Sequence, residues 1–436
     1  MQAFGEILLY AIPGFVLLII IEHIWGYYKG ELHYRAMDTI SSLSSGMTNI
    51  TKSVLGLTVV VLTYEWMLSN WSLFPPRSEN MAEIPVWYWI AGFIIIDFAG
   101  YWGHRLEHEI NVLWNTHIIH HSSEEFNLAC ALRQQVSHIF NWTIVLILPA
   151  ALLGVPAVVI AIIAPFHLFA QFWYHTRYIN RMGFLEYFMV TPSHHRVHHA
   201  INPEYLDKNY GQIFIIWDRI FGTFVEEQDD IPPVYGVKRP VQTWNPFWIN
   251  FQHIWLLAQD AWRASSLWDK VRIWFMPTGW RPADVAEKYP VEIIENPEDQ
   301  VKFDTPASIW MKAISYIQLV VNVLLLMYLF GNYAAIEAAY GWQGLVGYGL
   351  FSFLAVFSYT TLMDRNWHAA WLEVLKSAIG LFIIWNMGSW FGIDSALFNG
   401  ASAVVAGWFI VSALAVLAMV WFDIRPARKA QGSPAI

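Results

Sequence analysis

Apolar runs about as long as a bilayer is thick constrain this chain more than anything else in it. A hydrocarbon core of about 30 Å takes about 20 apolar helical residues to cross. Within that core every backbone N–H and C=O must bond inside the protein, so such a run reads as a helix. Runs near this length recur at about Phe4–Tyr27, Ser53–Leu68, Ile84–Gly103, Ile309–Phe330, Leu345–Leu362, Trp371–Trp390 and Ala401–Phe422. A longer stretch, Ile139–Tyr174, is broken by Pro149, Gly154, Pro156 and Pro165. It predicts a hairpin of two spans with its turn near Gly154–Pro156.

Composition agrees. Hydrophobic residues make up 56% of the 436 and charged residues 14%, where a soluble domain carries about 25% charge. Mean hydropathy is +0.38. The 25 tryptophans suit rings that settle at the lipid–water boundary. The expected fold class is therefore all-α, a polytopic transmembrane helical bundle. The first span lacks the basic start and small-residue cleavage site of a signal peptide, so it is expected to be retained. Lys29–Thr51 reads as a polar loop, and Trp66, Trp71, Phe74 and Pro75-Pro76 as an interface. A net charge of −9 gives no footprint for nucleic acid. The single cysteine, Cys130, allows neither an intrachain disulfide nor a cysteine-rich metal site, and reads as a small buried residue.

The polar stretch is as informative as the apolar ones. Of 25 Lys and Arg residues, 13 fall between Arg177 and Ser308, with six before and six after. By the positive-inside rule this segment is cytoplasmic. Three parts follow: residues 1–176 with membrane helices, a cytoplasmic segment 177–308, and C-terminal membrane helices 309–436.

Histidine is concentrated at the cytoplasmic edge. Five of the 16 histidines lie within eighteen residues, as His104-x-x-x-His108 and His117-x-x-His120-His121. A third group, His195-x-x-His198-His199, repeats the second spacing. Residues three and four apart share a helix face, so each group can aim imidazoles at one point. A hairpin at Ile139–Tyr174 returns the chain to the side it left, which puts His175 and the third group beside the first two. Buried imidazoles each need a partner and make a poor core, so three such groups point to metal. Eight are enough for two ions, and nitrogen ligands alone leave Fe, Zn, Cu and Ni open. Asp97, two helical turns before His104, is either a hydrogen-bonded residue near the end of its span or an acceptor that holds a ligating imidazole. His104-x-x-Glu107-His108 also matches an inverted zinc-protease motif. That reading leaves the other two groups without a role. The isolated His23, His33, His138, His167, His253 and His368 read as interfacial or hydrogen-bonded residues, and His194 is out of register with the third group. Ser122 or Ser123 reads as an N-cap opening a further helix.

The spacing HxxxH, HxxHH and HxxHH among membrane helices resembles the fatty acid hydroxylase / sterol desaturase superfamily of membrane di-iron oxygenases. Within it, the glyceryl-ether monooxygenases are most similar. The matching words are Asp97-Phe-x-x-Tyr-Trp-x-His104-Arg, His108-Glu109-x-Asn111, His117-x-x-His120-His121-Ser-Ser-Glu124, Ala131-Leu-Arg-Gln134, Gln171-Phe-Trp-x-His175, Thr191-Pro-Ser-His-His-Arg-Val-His-His199, Asp207-Lys-Asn-Tyr210 and Ile215-Ile-Trp-Asp218. The resemblance implies two irons in a cytoplasmic histidine-rich cap. Their ligands would be His104, His108, His117, His120, His121, His195, His198 and His199, with His175 as a ninth. Asp97, Gln171 and Asp218 are expected behind these ligands. Glu109 occupies the position that the resemblance ties to activity and to a pterin reductant, so tetrahydrobiopterin or another external electron donor is expected, with O₂ as co-substrate. The implied reaction hydroxylates the ether-bearing carbon of an alkylglycerol drawn from the bilayer. Hydroxylation or desaturation of another lipid (a sterol, fatty acyl chain, carotenoid or aminolipid) is the alternative. A membrane metal transporter or sensor is the alternative from another class, but it would place polar residues in series at the midplane.

Overall fold

The computed structural model describes residues 2–58, 62–74 and 79–426. They are helical throughout, with isolated β-bridges as the only strand pairing among them. The N-terminal elements are α1 (Gln2–Lys29), α2 (Ala36–Val54), α3 (Tyr64–Trp71), α4 (Val86–Glu109), α5 (Asn111–His121), α6 (Leu148–Leu152) and α7 (Ala157–Phe169). The middle segment holds α8 (Pro192–His198), α9 (Ile216–Phe221), α10 (Pro246–Arg263), α11 (Leu267–Arg272) and α12 (Ala283–Lys288). The C-terminal part holds α13 (Ile309–Gly331), α14 (Tyr333–Met363), α15 (Ala369–Met387), α16 (Ile393–Ala396) and α17 (Ala401–Met419). Among the described residues, five helices are long and apolar enough to cross a membrane: Glu6–Lys29 of α1, then α13, α14, α15, and Ala401–Ile424, which is α17 with its last turn. The chain is an integral membrane protein.

Several boundaries differ from those the sequence suggests. The expected loop Lys29–Thr51 is mostly α2, and the expected span Ser53–Leu68 is not one helix: α2 ends at Val54 and α3 starts at Tyr64. The reason is the content of α2's buried face. Asp38, Ser41, Ser42, Ser44, Ser45, Thr48 and Thr51 are buried, and their polar atoms are satisfied by the rest of the fold. Ser41 donates to Trp244 O (2.7 Å), Ser45 to Gln134 O (2.6 Å), and Ser44 shares a hydrogen bond with Tyr359 (2.6 Å). Ser44 and Thr51 also donate back to carbonyls four residues earlier, a bond that helices tolerate. Gly46 lets α2 approach the turn at 130–132, since a Cβ there would meet Leu132 O at 2.7 Å. The expected turn at Pro75-Pro76 lies outside the described residues.

The hairpin at 139–174 forms, but neither arm spans. The arms are Thr143–Leu152 and Ala157–Phe169, and 13 residues of α7 reach only about 20 Å. Pro149 and Pro156 open the two short helices, and Gly154 turns the chain with φ +70°. Ala150, Ala151, Val155 and Val159 bury fully against α3 and α4. The chain still returns to the side it left. The expected third span, Ile84–Gly103, is α4, which runs unbroken through the first histidine group to Glu109 and is not among the five helices long and apolar enough to cross. No helix opens at Ser122 or Ser123. Ser123 Oγ instead accepts from Glu125 N and donates to Asp38 (2.8 Å), closing a turn against α2.

In the C-terminal part, α13, α14, α15 and α17 pack around Leu329, Tyr348, Phe351, Trp390 and Phe409. α14 starts earlier than the expected Leu345 and is broken by Gly341 at φ +68°. A buried ion pair, Lys376 with Glu373, is completed by Gln318, Ser412 and Ser358. Such pairing is what lets charged groups sit among membrane helices.

Candidate metal centre

α4 and α5 carry the first two histidine groups on adjoining helices. The break between them is set by a loop. Ile110 is extended (φ −116°, ψ 124°), and the next N–H groups leave the helix ladder. Asn111 N donates to Met276 O and Val112 N to Trp274 O, both at 3.0 Å. The Asn111 side chain donates to Ile273 O and Trp280 O and accepts from Gly279 N. With its backbone so capped, α5 folds back onto α4. The third group rides on α8, which Pro192 opens. His175 arrives from the end of the hairpin.

These side chains form two groups. One is His104, His108, His117, His121 and His198; the other is His120, His175, His195 and His199. In each, one nitrogen per residue lies within 4.8 Å of all the others. All nine are buried except His117, which is half-buried. The eight box histidines and His175 are thus brought together, and His194 is in neither group. His194 packs edge-on against Phe224 instead.

Hydrogen bonds behind the rings show what the front of each group must hold. His104 Nδ1 lies 2.8 Å from Tyr210 O, His120 Nδ1 3.2 Å from Arg133 O, His175 Nδ1 2.9 Å from Gln171 O, and His198 Nδ1 2.9 Å from Lys208 O. A carbonyl only accepts, so each Nδ1 carries the proton and each neutral ring presents a bare lone pair at Nε2. Those lone pairs face one another. His175 Nε2 is 3.3 Å from His120 Nε2, and His104 Nε2 is 3.0 Å from His117 Nε2. In the His120–His175 pair both Nδ1 atoms hold the proton, so no proton is available to make that contact a hydrogen bond, and a shared cation satisfies both sides. Two nitrogens bound at about 2.1 Å to one ion sit about 3.0–3.4 Å apart at ordinary ligand angles. The residues fit two metal ions.

Electrostatics agree. Burial, and then neighbouring imidazoles, push His120 down to about 3. The same causes hold His121, His195 and His199 well below the ordinary histidine value. Neutral imidazole is the metal-binding form.

The supporting layer is only partly the expected one. Gln171 acts through its backbone carbonyl on His175, while its side chain reaches Gln212 (3.2 Å). Asp218 accepts from Tyr210 N and Gly211 N, both at 2.7 Å, and so holds the loop whose carbonyl orients His104. Asp97 lies one step further out. Its carboxylate accepts from His167 (2.7 Å), from Ile213 N and Phe214 N, and from Trp217 Nε1 (2.8 Å), none of which is a histidine of either group. Glu109 is exposed and pairs with Arg105 at 2.8 Å.

Sequence reasoning missed two carboxylates. Glu107, set aside with the zinc-protease motif, lies 3.4 Å from His117 Nδ1 and accepts from Thr116 Oγ1 at 3.0 Å. Burial raises it to about 7 against that hydrogen bond. Asp207 lies 3.3 Å from His108 Nδ1. It adopts φ +58° and Asn209 φ +56°, a left-handed turn that Asp and Asn tolerate and that aims this loop at the rings. The signal for Glu107 was its place one turn after His104 on the same helix.

Comparison with known proteins agrees with this geometry. The fatty acid hydroxylase family profile matches residues 89–223, which include all nine histidines. Alkylglycerol monooxygenase of Homo sapiens is 34% identical over 86% of this chain and 81% of its own length. The Danio rerio protein of the same name is 33% identical over 85% and 80%. Ornithine lipid hydroxylase of Rhizobium tropici is 33% identical over 31% of this chain and 41% of its own length. No solved structure matches. By its similarity over 86% of its length and its histidine metal site, the chain belongs to the alkylglycerol monooxygenase family, oxidoreductases of the fatty acid hydroxylase type.

Proposed function

We propose that this protein is a di-iron monooxygenase that hydroxylates the ether-bearing carbon of alkylglycerol lipids. The observation that carries the reading is the pair of histidine groups with opposed Nε2 lone pairs. Zinc has no redox chemistry, and nitrogen ligands still leave iron, copper and nickel; iron is the choice supported by the resemblance to the membrane di-iron oxygenases. Two irons held there supply activation of O₂ for insertion of one oxygen atom into a C–H bond.

The balance is simple. One oxygen atom enters the C–H bond beside the ether oxygen; the other leaves as water, taking two electrons and two protons from an external donor. A tetrahydropterin is the donor proposed. The product is a hemiacetal, whose C–O bond breaks to give a fatty aldehyde and a glycerol.

The chain's own residues set the conditions. Imidazole ligands offset none of the charge of two cations, and the Glu107 and Asp207 carboxyl groups lie directly behind His117 and His108, where a bound cation favours their ionised form. The Tyr210, Arg133, Gln171 and Lys208 carbonyls keep four rings in the ligating tautomer. Glu109 follows the last α4 ligand and is exposed beside Arg105, which supports a role toward the reductant. The bias of Lys and Arg toward 177–308 supports a cytoplasmic position for the centre.

The test is mass spectrometry of iron-loaded protein in lipid nanodiscs with 1-O-alkylglycerol, tetrahydropterin and O₂. Fatty aldehyde is the expected product. No aldehyde, with turnover of a different lipid such as ornithine lipid, overturns the substrate and leaves the oxygenase standing.

A further inference from the structure

α10 and α11 expose an apolar surface for which the metal chemistry has no use. Along α10, Trp248, Phe251, Trp255 and Trp262 are exposed, Trp262 at 86%. At 100° per residue the four fall within about 60° of arc. The opposite face (Ile249, Asn250, His253, Leu256, Leu257 and Asp260) is buried. α11 and the turn after it add exposed Leu267, Trp268, Val271 and Phe275.

Two observations say what covers this surface. The first is continuity with a spanning helix. The Phe247 ring lies 5.7 Å from Phe353 and 5.8 Å from Phe357, and Trp248 lies 6.0 Å from Phe357. Both partners are on α14, a candidate span that ends at Met363. At the helical rise, Phe357 lies about 9 Å and Phe353 about 15 Å inside that end. α10 therefore starts at membrane depth. The second is charge. Between Lys238 and Arg281 the chain has six basic residues and two acidic ones, although its net charge is −9. Both acids are paired, Asp260 with Arg281 and Asp269 with Arg272, each at 2.6 Å. A tryptophan stripe flanked by surplus basic residues complements an anionic lipid surface.

We propose that α10–α11 is an in-plane membrane anchor. Its Trp248–Trp262 stripe lies in the headgroup–acyl boundary of the leaflet on the metal-centre side. The anchor fixes the depth of the site, because α10 is clamped to α5 and to the loop at 136–137. Asn250 Oδ1 accepts from Val136 N and Ser137 N (2.9 and 3.1 Å), His253 Nε2 donates to Asn111 O (2.9 Å), and Ile254 N donates to Asn115 Oδ1 (2.9 Å). α5 carries His117, His120 and His121, so the ligands are held at a fixed distance from the stripe. This inference holds whichever lipid is the substrate.

Site-directed spin labelling tests it on the full chain in nanodiscs of phosphatidylcholine and phosphatidylglycerol. Cys130→Ser removes the sole native thiol. Labels then go singly at Trp255→Cys, Trp262→Cys and Trp268→Cys, with Val301→Cys as a control that is 90% exposed. The expected result is a severalfold higher ratio of O₂ to nickel-chelate collisions at the three tryptophan positions than at the control. A ratio equal to the control places the stripe in water and overturns the proposal. Poor access to both reagents means a protein partner and overturns it too. Should the labelled variants misfold, a photoreactive phospholipid applied to the unaltered chain is expected to label peptides from 246–276. Their absence from the labelled set is again contrary.

Discussion

Replacing Glu107 gives a quantitative test of the supporting layer. Its carboxylate accepts from Thr116 Oγ1 at 3.0 Å and faces His117 Nδ1 at 3.4 Å. In Glu107→Gln the amide oxygen can keep the Thr116 bond, but the charge facing His117 Nδ1 is gone. A hydrogen bond to a charged group contributes about 1.5–3 kcal/mol and a neutral one about 0.5–1.5. The hold on His117 thus weakens by about 1–1.5 kcal/mol, which is about tenfold in metal affinity. Glu107→Ala removes the Thr116 bond and the charge facing His117 together and should cost about 30–100-fold. Only the group of five should suffer, because His117 is absent from the group of four. The assay is anaerobic equilibrium dialysis of purified protein against graded iron(II) chelators, read as iron bound per chain. One of two binding phases should shift, more for Ala than for Gln. Equal weakening of both phases refutes the reasoning. So does undiminished iron affinity with lost turnover, which would mean that Glu107 acts on the reaction itself.

Three further outcomes are expected. Asp38→Ala leaves the Arg133 guanidinium, 2% exposed and 3.3 Å from that carboxylate, without a counter-charge; stability should fall by about 3–5 kcal/mol in chemical unfolding, and the double variant with Arg133→Met should recover most of it. Glu109→Gln should leave iron content unchanged and raise the KM for tetrahydropterin, and an unchanged KM would remove it from the reductant site. His120 is held near 3 in the folded metal-free chain against about 6.5 when unfolded; its contribution to stability is present above about 6.5, declines as pH falls from there and is exhausted below about 3. Chelator-treated protein should therefore unfold more readily at pH 5 than at pH 7, as read by thermal melting in detergent (both pH values about a unit either side of about 6).

What could be read from the sequence divides along physical lines. The ligand groups were legible because three- and four-residue spacings on helices are local, and because one hairpin fixes which side the chain returns to. The lengths of its arms were not, since Pro149 and Pro156 restart each helix too late for it to span. α2 was hidden because its buried face is Ser, Thr and Asp. Such a face looks like a loop until Trp244 O, Gln134 O and Tyr359 are known to meet it. Behind the ligands, the acceptors for His104, His120, His175 and His198 are main-chain carbonyls, and a carbonyl has no sequence signature. For Asp97 both readings stayed open, and the structure shows the hydrogen-bonded one, because its partners, His167 and the 213–217 turn, come from segments distant in the chain. The α10 stripe went unread because 177–308 was judged by its overall polarity, within which a single amphipathic helix is diluted.

The claim on which the rest depends is that two groups of histidines, five and four in number, each hold one metal ion. Metal analysis of protein purified anaerobically after iron supplementation tests it directly, with His175→Ala alongside. The account predicts two irons per chain in the native protein and one in the variant, the remaining iron bound by the group of five. A native stoichiometry of one, or zinc in place of iron with no O₂ consumed in the presence of lipid and reductant, would contradict it.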